Sequence, residues 1–282
     1  MPESSSFSRE RLFEIARSLP AAPKVLARLG ALIQDLNTGL DEIAELIKMD
    51  PALSARIVRM SNSIVYGGRS IGDIEEAVNR VGFREVHRLV GVVTTERLSD
   101  RFLRFYGLEP QRMREHMLCT AISAEALADN CNIPPHSAYI AGLLRPLGML
   151  VLDRAAEHLT ACEPYDHGKF GAYMPWEGIC FGLPNTEVAS MLLHDWRFPS
   201  DICDGVREHY LNHEDYLGNR MAVLLNLAGS IVAEQGLTLP GDRSFWQVDA
   251  GKLNALGITE DLRQHSLRRA EYRFTLLRGS LA

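Results

Sequence analysis

Residues 50–63 read Asp50-Pro51-Ala52-Leu53-Ser54-Ala55-Arg56-Ile57-Val58-Arg59-Met60-Ser61-Asn62-Ser63, and they set the fold class. An Asp side chain accepts from the orphan amides of a helix's first turn, and a Pro at the first helical position gives up no hydrogen bond. Asp50-Pro51 therefore predicts a helix start, with Leu53, Ile57, Val58 and Met60 as the buried face and an end after Asn62-Ser63, at Gly67-Gly68. On the amino-terminal side, Val25, Leu26, Leu29, Leu32 and Ile33 repeat with helical spacing until Asn37-Thr38-Gly39 breaks the pattern. Thr38 with Asp41 then predicts the cap of a short helix carrying Ile43, Leu46 and Ile47. On the other side, Asp73 opens a helix through Ile74, Ala77 and Val78. Gly82 separates it from a longer helix carrying Phe83, Val86, Leu89, Val90 and Val93.

Helical spacing continues to the carboxyl terminus and no period-two alternation competes with it, so the expected fold is all-α. Arg101 to Pro110, basic and aromatic with Gly107 near its end, is the expected junction between two helical lobes. Beyond it the pattern predicts a helix to about Cys131, a second from Ala138 to Leu152, and a loop rich in Pro, Gly and aromatics from Glu163 to Gly182. Three further helices follow, Thr186 to Trp196, Ser200 to Leu211 and Arg220 to Gln235. The expected organisation is a flexible tail over 1–10, an N-terminal lobe over 11–108, a second lobe over 109–235 and a C-terminal extension of mixed character over 236–282.

The 282 residues carry 36 acidic against 30 basic side chains, a formal charge of −6, which disfavours nucleic acid as the main partner. At 46% hydrophobic and 23% charged the chain can bury a sizeable core. No apolar run approaches the ~18 residues of a membrane span, and Met1 to Ser6 resemble no secretory signal, so no membrane partner and a cytoplasmic location are expected. The five cysteines, Cys119, Cys131, Cys162, Cys180 and Cys203, include no CxxC pair and read as reduced core or surface thiols.

Several strings resemble the HDOD family, the bacterial HD-related output domain. Asp50-Pro51-Ala52-Leu53 with Ile57, Asn62-Ser63 and Tyr66-Gly67 match the family's first signature, and Ile71, Asp73 to Ala77 and Val81-Gly82-Phe83 continue it. Ala141-Gly142-Leu143-Leu144 with Gly148-Met149-Leu150-Val151-Leu152 is similar to the second-lobe element. Glu187-Val188-Ala189, Leu192-Leu193 and Trp196-Arg197-Phe198-Pro199 are similar to a later one. The resemblance covers about residues 12 to 235. It implies a two-lobed, multi-helical fold whose second lobe is built like an HD-type metal phosphohydrolase. It also implies a regulatory role in bacterial signalling, often as the output part of a two-component response regulator.

An HD-type hydrolase holds its ion with a His, a His-Asp pair and a later Asp. In this sequence the first falls on His116, but the pair falls on Arg145-Pro146, a further histidine position on Asn185 and the late Asp on Gly229. Guanidinium stays charged and proline has no donor, so neither ligates a metal. The expectation is a non-catalytic regulatory and protein-interaction module with no cofactor and no metal, whose partners are signalling proteins. The alternative is a nucleotide or cyclic-dinucleotide sensor using a pocket of His116, Arg145, Asn185 and His209. A third reading keeps a residual metal-dependent phosphohydrolase on His116 and His209. The plainer reading of Arg145 is that it pairs with a nearby carboxylate or projects to solvent. His194-Asp195 reads as a surface helix end, His209 with His213 lacks the Glu of a zinc HExxH motif, and the late arginines from Arg263 to Arg278 read as a solvated mixed-charge helix. Tyr165, Phe170, Tyr173 and Trp176 are read equally as partner anchors or as core.

Overall fold

A computed structural model of the chain describes residues 9–17, 25–26, 28–30, 32, 39–62, 70–159, 162–212 and 215–281. Among them there is no strand, only one isolated antiparallel bridge between Leu103 and Leu108. The fold is all-α. The chain divides into two units, one comprising Met1–Leu19 and Ser99–Glu271, the other Pro20–Leu98 and Tyr272–Ala282.

Among the described residues of the second of these units, 25–26, 28–30 and 32 are helical, and α2 (Leu40–Lys48), α3 (Pro51–Ser61), α4 (Ile74–Val81) and α5 (Phe83–Leu98) follow. Asp50 caps α3 as its sequence predicts, accepting from Leu53 N at 3.0 Å, and also takes a bond from Arg97 Nη2 on α5 at 3.0 Å. Asp73 caps α4 through Glu76 N at 2.8 Å. Asn62 exchanges two hydrogen bonds with the Ile71 backbone, at 2.8 and 3.0 Å, which ties the end of α3 to the approach to α4. Leu53 and Ile57 are buried, but Val58 is half-exposed. The expected Thr38 cap is not the one seen: Gly39 occupies the cap of α2 without a side-chain bond. Thr38, Ser63, Tyr66, Gly67-Gly68 and the Met60 side chain lie outside the described residues.

The larger unit holds α1 (Arg9–Arg17), α6 (Pro110–Ala128), α7 (Pro135–Leu144), α8 (Leu147–Ala156), α9 (His167–Phe170), α10 (Tyr173–Phe181), α11 (Asn185–Asp195), α12 (Ser200–Glu208), α13 (Arg220–Glu234), α14 (Ala250–Leu256) and the start of α15 (Glu260–Leu281). Short 3-10 turns lie at Tyr216–Gly218 and Pro240–Phe245. Among the described residues no helix is long and apolar enough to cross a membrane.

Four expectations about this unit change. Residues 9–10 belong to α1, which buries Leu12, Ile15 and Ala16 and packs on α8 and α11, so the tail and the first lobe do not divide at residue 10. The junction falls at Leu98 and not after Leu108. The segment expected to link the lobes is a tight turn closed by Leu103 and Leu108 and held to α8, where Asp153 accepts from Phe105 N at 2.7 Å. The single helix expected over 138–152 is two, because Pro146 has no amide to continue α7 and its ring crowds the preceding turn. The Glu163 to Gly182 loop contains α9 and α10, with Tyr173 and Trp176 in the core and Tyr165 and Phe170 half-buried.

The C-terminal extension is equally part of this unit through Glu271. Arg263, expected in solvent, is buried and pairs with Glu234 at 2.7 Å and Glu260 at 2.6 Å. Ser266 donates to the Ala126 carbonyl at 3.1 Å, fixing α15 to α6.

Candidate functional site

The break at Pro146 leaves Arg145 at the end of α7, directed into the interior with 2% of its surface exposed. Its Nη2 donates to His116 Nε2 on α6, and also to Asp242 Oδ2 at 3.3 Å, an ion pair in which both side chains are buried. The guanidinium carbon lies 4.8 Å from the centre of the Trp246 ring, a cation–π contact. One guanidinium thus meets a neutral base, a carboxylate and an aromatic face.

Each partner is itself held. His116 Nδ1 donates to the Leu237 carbonyl at 3.0 Å, which assigns the lone pair to Nε2, where Arg145 donates. Burial and the charge of Arg145 push the His116 pKa well down, so the ring is neutral. Tyr210 OH donates to Asp242 Oδ1 at 2.7 Å, and Trp246 Nε1 donates to Thr238 Oγ1 at 2.8 Å. Burial raises the Asp242 pKa, while Arg145 and the Tyr210 hydroxyl pull it down.

His209 joins this cluster through aromatic contact. Its ring stacks on Trp246 with centroids 6.1 Å apart and planes 15° from parallel, and its Nδ1 donates to the Val206 carbonyl at 2.6 Å. Burial and Arg145 push its pKa well down too. His209 Nε2 and Arg145 Nε and Nη1 are buried with no hydrogen-bond partner.

Asn185, the fourth predicted pocket residue, does not face Arg145. At the first residue of α11, it donates from its backbone N and Nδ2 to Glu177 Oε2 at 2.8 and 3.0 Å. Glu177 Oε1 also accepts from Tyr106 OH at 2.7 Å. Burial pushes the Glu177 pKa up to about 7 against these donors, and the charge of Asp242 adds to the push. Here α8 approaches closely: a Cβ on Gly148 would lie 1.9 Å from the Asn185 carbonyl oxygen.

The structure therefore brings His116 and Arg145 together, sets His209 beside them and assigns Asn185 to a neighbouring carboxylate site. All four are at most 2% exposed. Asp242, Trp246 and Glu177 were missed. The first two lie in a stretch read as an appendage, whereas Glu177 carried a signal as the only ionisable side chain but Tyr173 and Cys180 in the apolar helix Tyr173–Phe181. Gly229, where the late metal-ligand position falls, faces the indole: a Cβ there would lie 2.5 Å from the Trp246 ring. His194-Asp195 ends α11 in solvent, and His213 lies outside the described residues. Among the described residues no group of three or more His, Cys, Asp or Glu is placed to hold a metal ion.

Comparisons with known proteins agree with this architecture. A sequence profile for the HDOD domain matches residues 19–211. No curated protein matches the chain. Among solved structures, an HDOD domain protein of unknown function from Geobacter sulfurreducens is 21% identical with a TM-score of 0.66, covering 95% of this chain and 97% of that one. A candidate signal transduction protein from Marinobacter aquaeolei VT8 is 21% identical with a TM-score of 0.74, covering 98% of this chain and 62% of that one. A candidate phosphohydrolase from Shewanella amazonensis SB2B is 22% identical with a TM-score of 0.60, covering 93% and 94%. At these identities the likeness is one of fold.

Proposed function

The chain belongs to the HDOD domain family, and on that premise we propose that it is a non-catalytic regulatory and protein-interaction module of bacterial signal transduction. Arg145 carries this reading. Its guanidinium, on the position that would supply the His of a metal-binding pair, donates to His116 Nε2, the lone pair a metal would use, and takes its charge balance from Asp242. A permanent cation tied in this way neither accepts a proton from water nor ligates an ion. Its role is architectural: it holds α6, α7 and the turn Pro240–Phe245 together.

Protein contacts are then the natural output, and the outer side of α10 is the surface that fits them. While Tyr173, Trp176 and Glu177 face inward, Pro175, Gly178 and Ile179 face out, with Ile179 75% exposed. An exposed branched aliphatic beside small residues suits a partner's apolar side chain.

The test joins a phosphodiesterase assay on a chromogenic diester, with manganese or zinc, to thermal shifts against nucleotides and cyclic dinucleotides. The module predicts no turnover and no shift, and loss of partner binding in Ile179→Asp at an unchanged Tm. Metal-dependent turnover overturns the reading. A metal-independent nucleotide shift abolished by Arg145→Ala would install the sensor, for which the unpartnered Arg145 Nε and Nη1 and His209 Nε2 are the favouring observation.

A further inference from the structure

Away from the Arg145 cluster, two thiols meet. Cys119, Cys131 and Cys203 are buried, whereas Cys162 and Cys180 are each partly exposed. Trp176 and Cys180 lie one turn apart on α10 and share a helical face. The Trp176 indole donates to the Glu163 carbonyl at 2.9 Å, and the rings of Tyr165 and Trp176 lie 5.7 Å apart, so the chain from 162 to 165 runs along that face. The Cys162 thiol donates to the same Glu163 carbonyl at 3.8 Å, which sets it beside the face that carries Cys180, near enough for each thiol to bear on the other's ionisation. No spacing motif announces the pair, because the turn of chain that carries α9 separates its members.

We propose that Cys162 and Cys180 form a modification site, closed to an intramolecular disulfide by hydrogen peroxide and reopened by thiols. The Cys180 thiolate attacks one peroxide oxygen and the O–O bond breaks. The departing hydroxide takes a proton to become water, leaving Cys180 as a sulfenic acid. The Cys162 thiolate then attacks that sulfur, the S–O bond breaks, a second hydroxide leaves as water and the S–S bond forms. Two thiols and one peroxide give one disulfide and two waters, the two electrons passing from sulfur to oxygen. The Cys162 thiol is held by its hydrogen bond to the Glu163 carbonyl, which favours its protonated form and gives Cys180 the first attack and Cys162 the resolving one. The bond would fasten the segment before α9 to the last turn of α10.

The experiment uses the full chain treated with hydrogen peroxide, capped with N-ethylmaleimide, digested without reduction and read by mass spectrometry. The expected product is one peptide pair joining Cys162 to Cys180, two hydrogens lighter than the free thiols, with both thiols recovered after dithiothreitol. In Cys162→Ser, Cys180 should instead accumulate as a sulfenic acid that dimedone traps, and circular dichroism matching the parent shows that the variant is folded. Both thiols fully capped after peroxide, separate sulfinic acids on each, or a cross-link between chains would each overturn the proposal.

Discussion

Arg145 and Asp242 bury opposite charges in one interior, and the desolvation of each is offset only while the other is present. Arg145→Ala leaves Asp242 with the Tyr210 hydroxyl alone and should cost about 3–5 kcal/mol, the range for breaking a buried pair. Urea denaturation would show this as a lower midpoint at an unchanged slope. The double change Arg145→Met with Asp242→Leu removes both charges and should regain most of the loss; a double variant as weak as the single would mean that shape, not charge, holds the cluster. Glu177 makes a prediction of opposite pH sense from that of an ordinary ion-paired carboxylate. Its folded pKa, about 7, lies above the unfolded value of 4.5, so the folded chain holds the proton more tightly. The stabilisation is fully present below about pH 4.5 and is lost as pH rises through about 7, by about 3 kcal/mol across the window. Glu177→Gln should flatten that slope in denaturation series from pH 4.5 to 8, and an identical slope in both proteins would refute the assignment.

At the scale of elements, what could be read was whatever a local signal announces. Asp50-Pro51, Asp73 and Gly82 punctuate α3, α4 and α5 through bonds within a few residues of one another, and the sequence displays those partners side by side. The interior was legible only in half. His116 and Arg145 could be placed by resemblance and do meet, but Asp242 and Trp246 reach them from a distant turn, and no local spacing encodes such a partnership. The Pro146 break was readable in principle and outweighed by the apolar residues on either side of it, from Ala138 to Leu144 and from Leu147 to Leu152. Packing between elements is likewise silent in sequence until two backbones touch. Gly148 is such a contact: a methyl group there meets the backbone carbonyl of Asn185, which no rotamer change can relieve. Gly148→Ala should therefore push α8 from α11 and cost about 3 kcal/mol, the upper part of the usual overpacking range. An unchanged melting midpoint would show that the two helices slide apart freely.

For the whole molecule, the span of the family match and the span of the folded interior differ. The HDOD profile ends at residue 211, yet the larger unit runs on to Glu271. The residues beyond the match complete the centre: Leu237 accepts from His116, Asp242 neutralises Arg145, and Trp246 covers the guanidinium and fills the space beside Gly229. A chain ended after Gln235 would keep its helix-forming segments while exposing the apolar faces of α6 and α13 and leaving a buried cation without its anion. Such a chain should hold much of its far-ultraviolet helical signal, bind a hydrophobic dye and lose its cooperative thermal transition, as expected when helices persist without specific packing. The parent should melt in a sharp step by the same probe. A truncated chain that melts as sharply, and at the same temperature, would mean that α6, α7 and α13 close around Arg145 without Asp242 and Trp246, and the architectural role assigned to that residue would then fall.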